Sequence, residues 1–151
     1  MSFGDRAVAS CLVAFSNGTV VERAVRDILK CDDVDVSSIE IFLANNNDDV
    51  RRAAGRIVAA KGNVSVAVDA VLDEHNFSSI LGLLDVIAER GFDDTDAGKL
   101  SDFFSRHGVL ESQIKEHVIG IFRRSGKKSA LFPLLFDDDD KMVERIKGYL
   151  E

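Results

Sequence analysis

One proline, no tryptophan, one tyrosine and two cysteines occur in 151 residues. Each scarcity excludes something. Proline interrupts helix interiors because it has no N–H and its ring clashes with the preceding turn, so a chain with Pro133 alone leaves long helices intact. Cys11 and Cys31 are too few for a disulfide scaffold. Both fall in helical patterns, where a free thiol packs as a small hydrophobe, and a reducing, cytoplasmic setting is expected. No apolar run approaches the roughly 20 residues of a membrane-spanning helix, so no membrane partner is expected. The opening MSFGDRAVASCLVAF has no basic stretch and carries Asp5, which speaks against a secretory leader. Basic residues are outnumbered 19 to 26, a formal net charge of -7, which disfavours general binding of a phosphate backbone.

Hydrophobic residues at 46% and charged residues at 30% mark a globular chain, read as one domain over residues 1–151. Apolar spacing predicts helices in pairs: 6–16 with 19–30, 36–45 with 48–61, 64–74 with 77–90, 96–106 with 110–125, and 128–136 with 139–150. The segment VSVAVDAVL from Val64 is β-branched like a strand, but Val64, Val68, Val71 and Leu72 also fit helical spacing. Asn, Asp and Ser cluster in the breaks, where their side chains accept from the unpaired amides of a first helical turn. Gly62, Gly91 and Gly126 follow second helices, as C-terminal caps do. The second helices repeat an i, i+4, i+8 stripe starting at Val21, Val50, Ile80, Ile114 and Met142, with steps of roughly 29, 30, 34 and 28. Helix pairs at a period near thirty are the sign of an α-solenoid, in which each hairpin buries its apolar face on its neighbours.

The segment IEIFLANNNDDVRRAAGRIVAAKG, Ile39 to Gly62, resembles the HEAT repeats, including their short phycobilisome-lyase-like variety. DDVRRAA, Asp48 to Ala54, is similar to the family's Asp-x-Val-Arg-x-x-Ala signature. Its arginine stands here as Arg51, while the equivalent positions of other repeats hold Glu22, Leu81, Lys115 and Val143. The resemblance implies an all-α fold, a right-handed α-α superhelix (HEAT-like solenoid) of about five helical hairpins, with second helices lining a concave face. It also implies a bilin lyase or chaperone as one possible activity, although no acid or nucleophile in a matching position stands out.

Arg52 and Arg56 lie four apart, opposite Val50, Ala54 and Val58, and Arg23 and Arg26 occupy similar ground one repeat earlier. Together they form a basic strip able to grip a carboxylate or phosphate by bidentate hydrogen bonds. The same arginines also fit a solvated face paired with Asp27 and Asp49. The row continues through Gly82 and Val86, then Glu116 and Gly120, then Glu144 and Gly148. Glycine inside a helix costs roughly 0.5–1 kcal/mol against alanine, which either a partner's close approach or helix packing within the chain offsets. The expected binding surface is therefore Arg23, Arg52, Arg56, Gly82, Val86, Glu116 and Gly120.

The acidic runs 93–96 and 137–140 do not follow the spaced oxygen pattern of a calcium loop, and three scattered histidines make no zinc spacing. Ser125-Gly126-Lys127-Lys128-Ser129 follows a helix and lacks the phosphate-loop spacing. No catalytic group, metal or cofactor is expected. The expected role is a non-enzymatic scaffold or adaptor holding a protein or peptide partner on its concave face. The alternative is a nucleic-acid binder using the arginine strip. Leu131, Phe132, Leu134, Leu135 and Phe136 give the last hairpin apolar surface for a homodimer or for docking.

Overall fold

The computed structural model describes residues 2–74, 76–106, 119–124 and 140–150. Within them every regular element is helical: α1 (Phe3–Ser16), α2 (Glu22–Lys30), a 3₁₀ helix (Ser37–Ala44), α3 (Asp48–Lys61), α4 (Val64–Asp73), α5 (Phe77–Arg90), α6 (Asp94–Arg106), a helical stretch over 119–124, and α7 (Asp140–Leu150). The expected helix over 128–136, most of that over 110–125, and the last hairpin's apolar surface lie outside the described residues. The chain divides into two compact units, Met1–Ile87 and Ala88–Glu151, with the boundary inside α5.

Capping sets most helix starts in the first unit. The Ser2 hydroxyl accepts from the Asp5 amide at 3.1 Å. Asn47 Oδ1 accepts from Asp49 and Val50 at 2.9 and 3.2 Å, and Asn63 Oδ1 from Ser65 at 2.9 Å. Asn76 Oδ1 accepts from Ser79 at 3.1 Å. Each satisfies amides that the helix itself leaves unpaired. The β-branched segment from Val64 is helix α4, with Val68 and Val71 fully buried.

α2 begins at Glu22, three residues later than expected. The Thr19 hydroxyl bonds backward to the Ala14 carbonyl at 3.1 Å, and the N-cap is Val21, whose side chain caps nothing. The buried stripe of α2 is accordingly Ala24, Val25 and Ile28, and Val21 is exposed. Cys31 is not within the helix. It is the C-cap of α2, half-buried, with its S–H donating to the Asp27 carbonyl at 3.2 Å.

The segment expected as an α-helix over 36–45 is a 3₁₀ helix. Its backbone bonds span three residues, Ile39 to the Val36 carbonyl at 2.9 Å and Asn45 to the Phe42 carbonyl at 3.1 Å. Three residues per turn place every third side chain in one row. Val36 and Ile39 are buried and Phe42 packs against the core, so the inner row runs at a spacing of three. Ser38, Ile41 and Ala44 form an outer row and all three are exposed. At its start the Asp35 carboxylate accepts from the Ser37 amide and hydroxyl at 2.9 and 2.7 Å, and these bonds hold the Asp35 carboxyl below its ordinary range.

α3 is the central helix of this unit and packs against α2, the 3₁₀ helix and α4. Seven of its residues are buried, Val50, Ala53, Ala54, Gly55, Ile57, Val58 and Ala59. That is wider than one stripe and leaves only a narrow strip to solvent. Gly62 ends it in an extended conformation, and a Cβ there would meet the Val58 carbonyl oxygen at 2.9 Å, so close approach excludes a side chain. Gly91 ends α5 with φ +88°, the left-handed conformation that glycine adopts without penalty.

Cys11 lies fully buried in the core among residues of α1, α2, the 3₁₀ helix and α3. Burial, with a smaller contribution from Glu22, pushes its thiol from 9.0 up to about 11. The stability that depends on its neutral form is whole below pH 9 and is lost as pH rises towards about 11. Native protein near pH 8 is expected to react with a thiol reagent at Cys31 only, with Cys11 appearing on unfolding. Thiol counts of two in the folded state would contradict this packing.

The second unit buries Ala97, Leu100, Ile119, Ile121, Phe122 and Ile146. Phe92 meets Phe122 edge-to-face at 6.0 Å between ring centres. Asp93 Oδ1 accepts from the Asp96 amide at 2.8 Å, so part of the acidic run 93–96 serves as the cap of α6.

Candidate functional site

The arginines of α3 divide into two kinds. Arg51 is held from three directions. Its Nε donates to Glu74 Oε2 at 3.1 Å and its Nη2 to Glu74 Oε1 at 3.1 Å, a bidentate pair. Nη2 also meets Asp48 Oδ1 at 2.6 Å, and Nη1 donates to the Asn45 carbonyl at 3.0 Å. The two partners of the bidentate pair are mostly withdrawn from water, the side chains being 19% and 7% exposed. The bonds to Glu74 are the largest cause holding the guanidinium above its ordinary pKa. Arg51 thus ties the end of the 3₁₀ helix to the start of α3 and the C-cap of α4.

Arg52 and Arg56 are different. Their side chains are 43% and 41% exposed, and each has one loose partner: Asp49 for Arg52 at 3.6 Å, Glu22 for Arg56 at 3.4 Å. Both line a groove of about 440 Å³ between α2 and α3, with Gly18, Thr19, Val20, Glu22, Asp49 and Ala53. Exposed pairs of this kind contribute roughly 0–1 kcal/mol, so an incoming carboxylate exchanges with them at little cost.

Arg23 does not join them. It lines a separate groove of about 330 Å³ between α1 and α2, with Phe3, Arg6, Ser10, Val21 and Asp27. The α2 residue paired with Arg56 is Glu22, because one residue turns a helix by about 100° and puts Arg23 on another side. The expected pairing of these arginines with acids holds for Arg52 and Asp49.

Gly82 is exposed and Val86 half-buried on α5, both in the first unit. Gly120 belongs to the second unit, and Glu116 lies outside the described residues. A Cβ built at Gly82, Gly120 or Gly148 meets nothing within 4 Å. Among the described residues, packing within the chain therefore does not account for these glycines.

The sequence reading missed Glu74 and the Asn45 carbonyl as partners of Arg51. A carboxylate just past a helix C-terminus was a signal, since it sits against the helix dipole and needs a cation. No protein-family model, curated protein or solved structure matches this chain. Among the described residues no helix is long and apolar enough to cross a membrane.

Proposed function

We propose that this chain is a non-enzymatic adaptor that holds a protein partner through the groove between α2 and α3, in a short HEAT-like solenoid of right-handed superhelical form. The observation carrying the binding site is the contrast on α3: Arg51 is saturated by its own chain, while Arg52 and Arg56 stand exposed in a groove with weak, exchangeable partners. A carboxylate-bearing segment of a partner suits them, because a guanidinium binds carboxylate with two parallel hydrogen bonds. Glu22 and Asp49 offset the two arginines of the groove, which opposes a run of phosphates while a single carboxylate can exchange with one of them, so a protein partner is favoured over the alternative. The solenoid reading is supported by the order of packing, α1 on α2, the 3₁₀ helix on α3, and α2 on α3, together with the period near thirty.

The test is charge reversal. Arg52→Glu with Arg56→Glu is expected to weaken a partner identified by cross-linking about tenfold or more, or roughly 1.4 kcal/mol, by titration calorimetry. Helical circular dichroism should be unchanged, since neither side chain is in the core. Unchanged affinity would exclude this groove as the site.

A further inference from the structure

A second groove lies in the first unit, separate from the α2–α3 groove and, unlike it, predominantly acidic. It has a volume of about 650 Å³ and runs between the 3₁₀ helix and α4. Ile41, Leu43, Ala44 and Ala70 supply apolar surface, and Glu40, Asp69, Asp73 and Glu74 supply carboxylates. Arg51 is the sole basic residue lining it, and its donors are occupied by Glu74, Asp48 and the Asn45 carbonyl. Glu40 and Asp73 have no cationic side chain within ion-pair distance among the described residues.

Two features set this groove apart from an ordinary solvated acidic face. Ile41 is 77% exposed, the most exposed large hydrophobic residue among those described. It is displayed by a 3₁₀ helix eight residues long, whereas such helices seldom exceed about three or four residues. The walls are also fixed. Arg51 joins Asn45, at the end of the 3₁₀ helix, to Glu74, at the end of α4, so the groove is held open. Among the described residues no three His, Cys, Asp or Glu side chains are grouped as a metal site, so the carboxylates are too spread for one ion.

We propose that this groove docks a basic segment of a partner protein, which sets an aliphatic or aromatic side chain on Ile41 and Ala44 and directs lysine or arginine at Glu40, Asp69 and Asp73. The choice of occupant follows from charge complementarity around an apolar centre, the usual arrangement of an interface.

Fluorescence anisotropy on the full chain tests this with a short labelled peptide alternating lysine and leucine, at physiological salt. Glu40→Lys with Asp73→Lys is expected to lower affinity about tenfold or more. Asp32→Lys with Asp33→Lys makes the same change in net charge at exposed positions outside the groove, and should cost less than about threefold. Ile41→Ser, at an exposed side chain that folding does not need, should cost about threefold or more. Equal losses for the two lysine pairs would reduce the effect to overall charge and overturn the proposal, as would no effect of Ile41→Ser. A wild-type dimer in sedimentation that Ile41→Ser dissolves would also overturn it, making a second copy the occupant. Arg52→Glu with Arg56→Glu should not weaken this peptide's binding and should strengthen it by less than about threefold, so the two sites fail or stand separately.

Discussion

Arg51→Ala is expected to lower the unfolding free energy by about 3 kcal/mol or more, measured by urea denaturation of the first unit's helical signal. The mutation removes more than an ion pair. It takes the guanidinium from the Glu74 carboxylate, 7% exposed, which keeps the Asn76 amide at 2.9 Å, and it releases the Asn45 carbonyl. Leaving a buried charge without its countercharge costs more than the pair contributed, because the charge has already given up water. Asp48 adds little, being 60% exposed on its own side. Glu74→Ala in the Arg51→Ala background should recover part of the loss, since it removes the stranded charge. If the double variant loses the sum of the two single losses, the clamp is not the source of the effect. Lys at position 51 should fall between, because an ammonium cannot donate along the two parallel lines that Nε and Nη2 occupy.

Phe15→Ala is expected to cost about 4 kcal/mol, within the range of 3–5 for truncating a buried aromatic ring. Phe15 is 1% exposed at the end of α1 and meets Phe42 of the 3₁₀ helix edge-to-face, 5.4 Å between ring centres at 67°. The loss combines transfer of the ring, the cavity it leaves and the aromatic contact. Val13→Ala, at an exposed position two residues earlier on the same helix, should change stability by less than about 0.5 kcal/mol. A similar loss at both positions, read from urea midpoints, would mean that the interface between α1 and the 3₁₀ helix does not carry the unit. A normal loss at Phe15 with an altered denaturant slope would instead point to that interface opening before the rest.

Helices α3 and α5 were legible to the residue, because Asn47 and Asn76 stand just before them and accept the first amides. α4 was legible despite its β-branched residues, since Asn63 caps it and its apolar spacing suits a helix. The start of α2 was not. Thr19 resembles a forward cap, and only the nearness of the Ala14 carbonyl turns its hydroxyl backward. The 3₁₀ helix was partly legible. Val36, Ile39 and Phe42 stand three apart, a spacing that also fits one side of an α-helix. The core decided between the two by taking all three in one row.

The binding surface followed the same division. Arg52 and Arg56 are four residues apart on one helix, so their shared side is a matter of local geometry and could be read directly. Arg23 is on a different helix, and its alignment with them depended on the rotation of α2 about its axis, which packing of Ala24, Val25 and Ile28 sets. The sequence by itself determined the helical class, most helix starts, the exposed arginine pair and the excess of acid. Tertiary structure alone decided that Arg51 clamps Glu74, that Glu22 and not Arg23 accompanies Arg56, and that Ile41 stands in the open beside the carboxylates of Glu40, Asp69 and Asp73. Capping and periodicity act within about four residues along the chain, whereas Arg51 and Glu74 are 23 apart and meet only when α3 packs on α4.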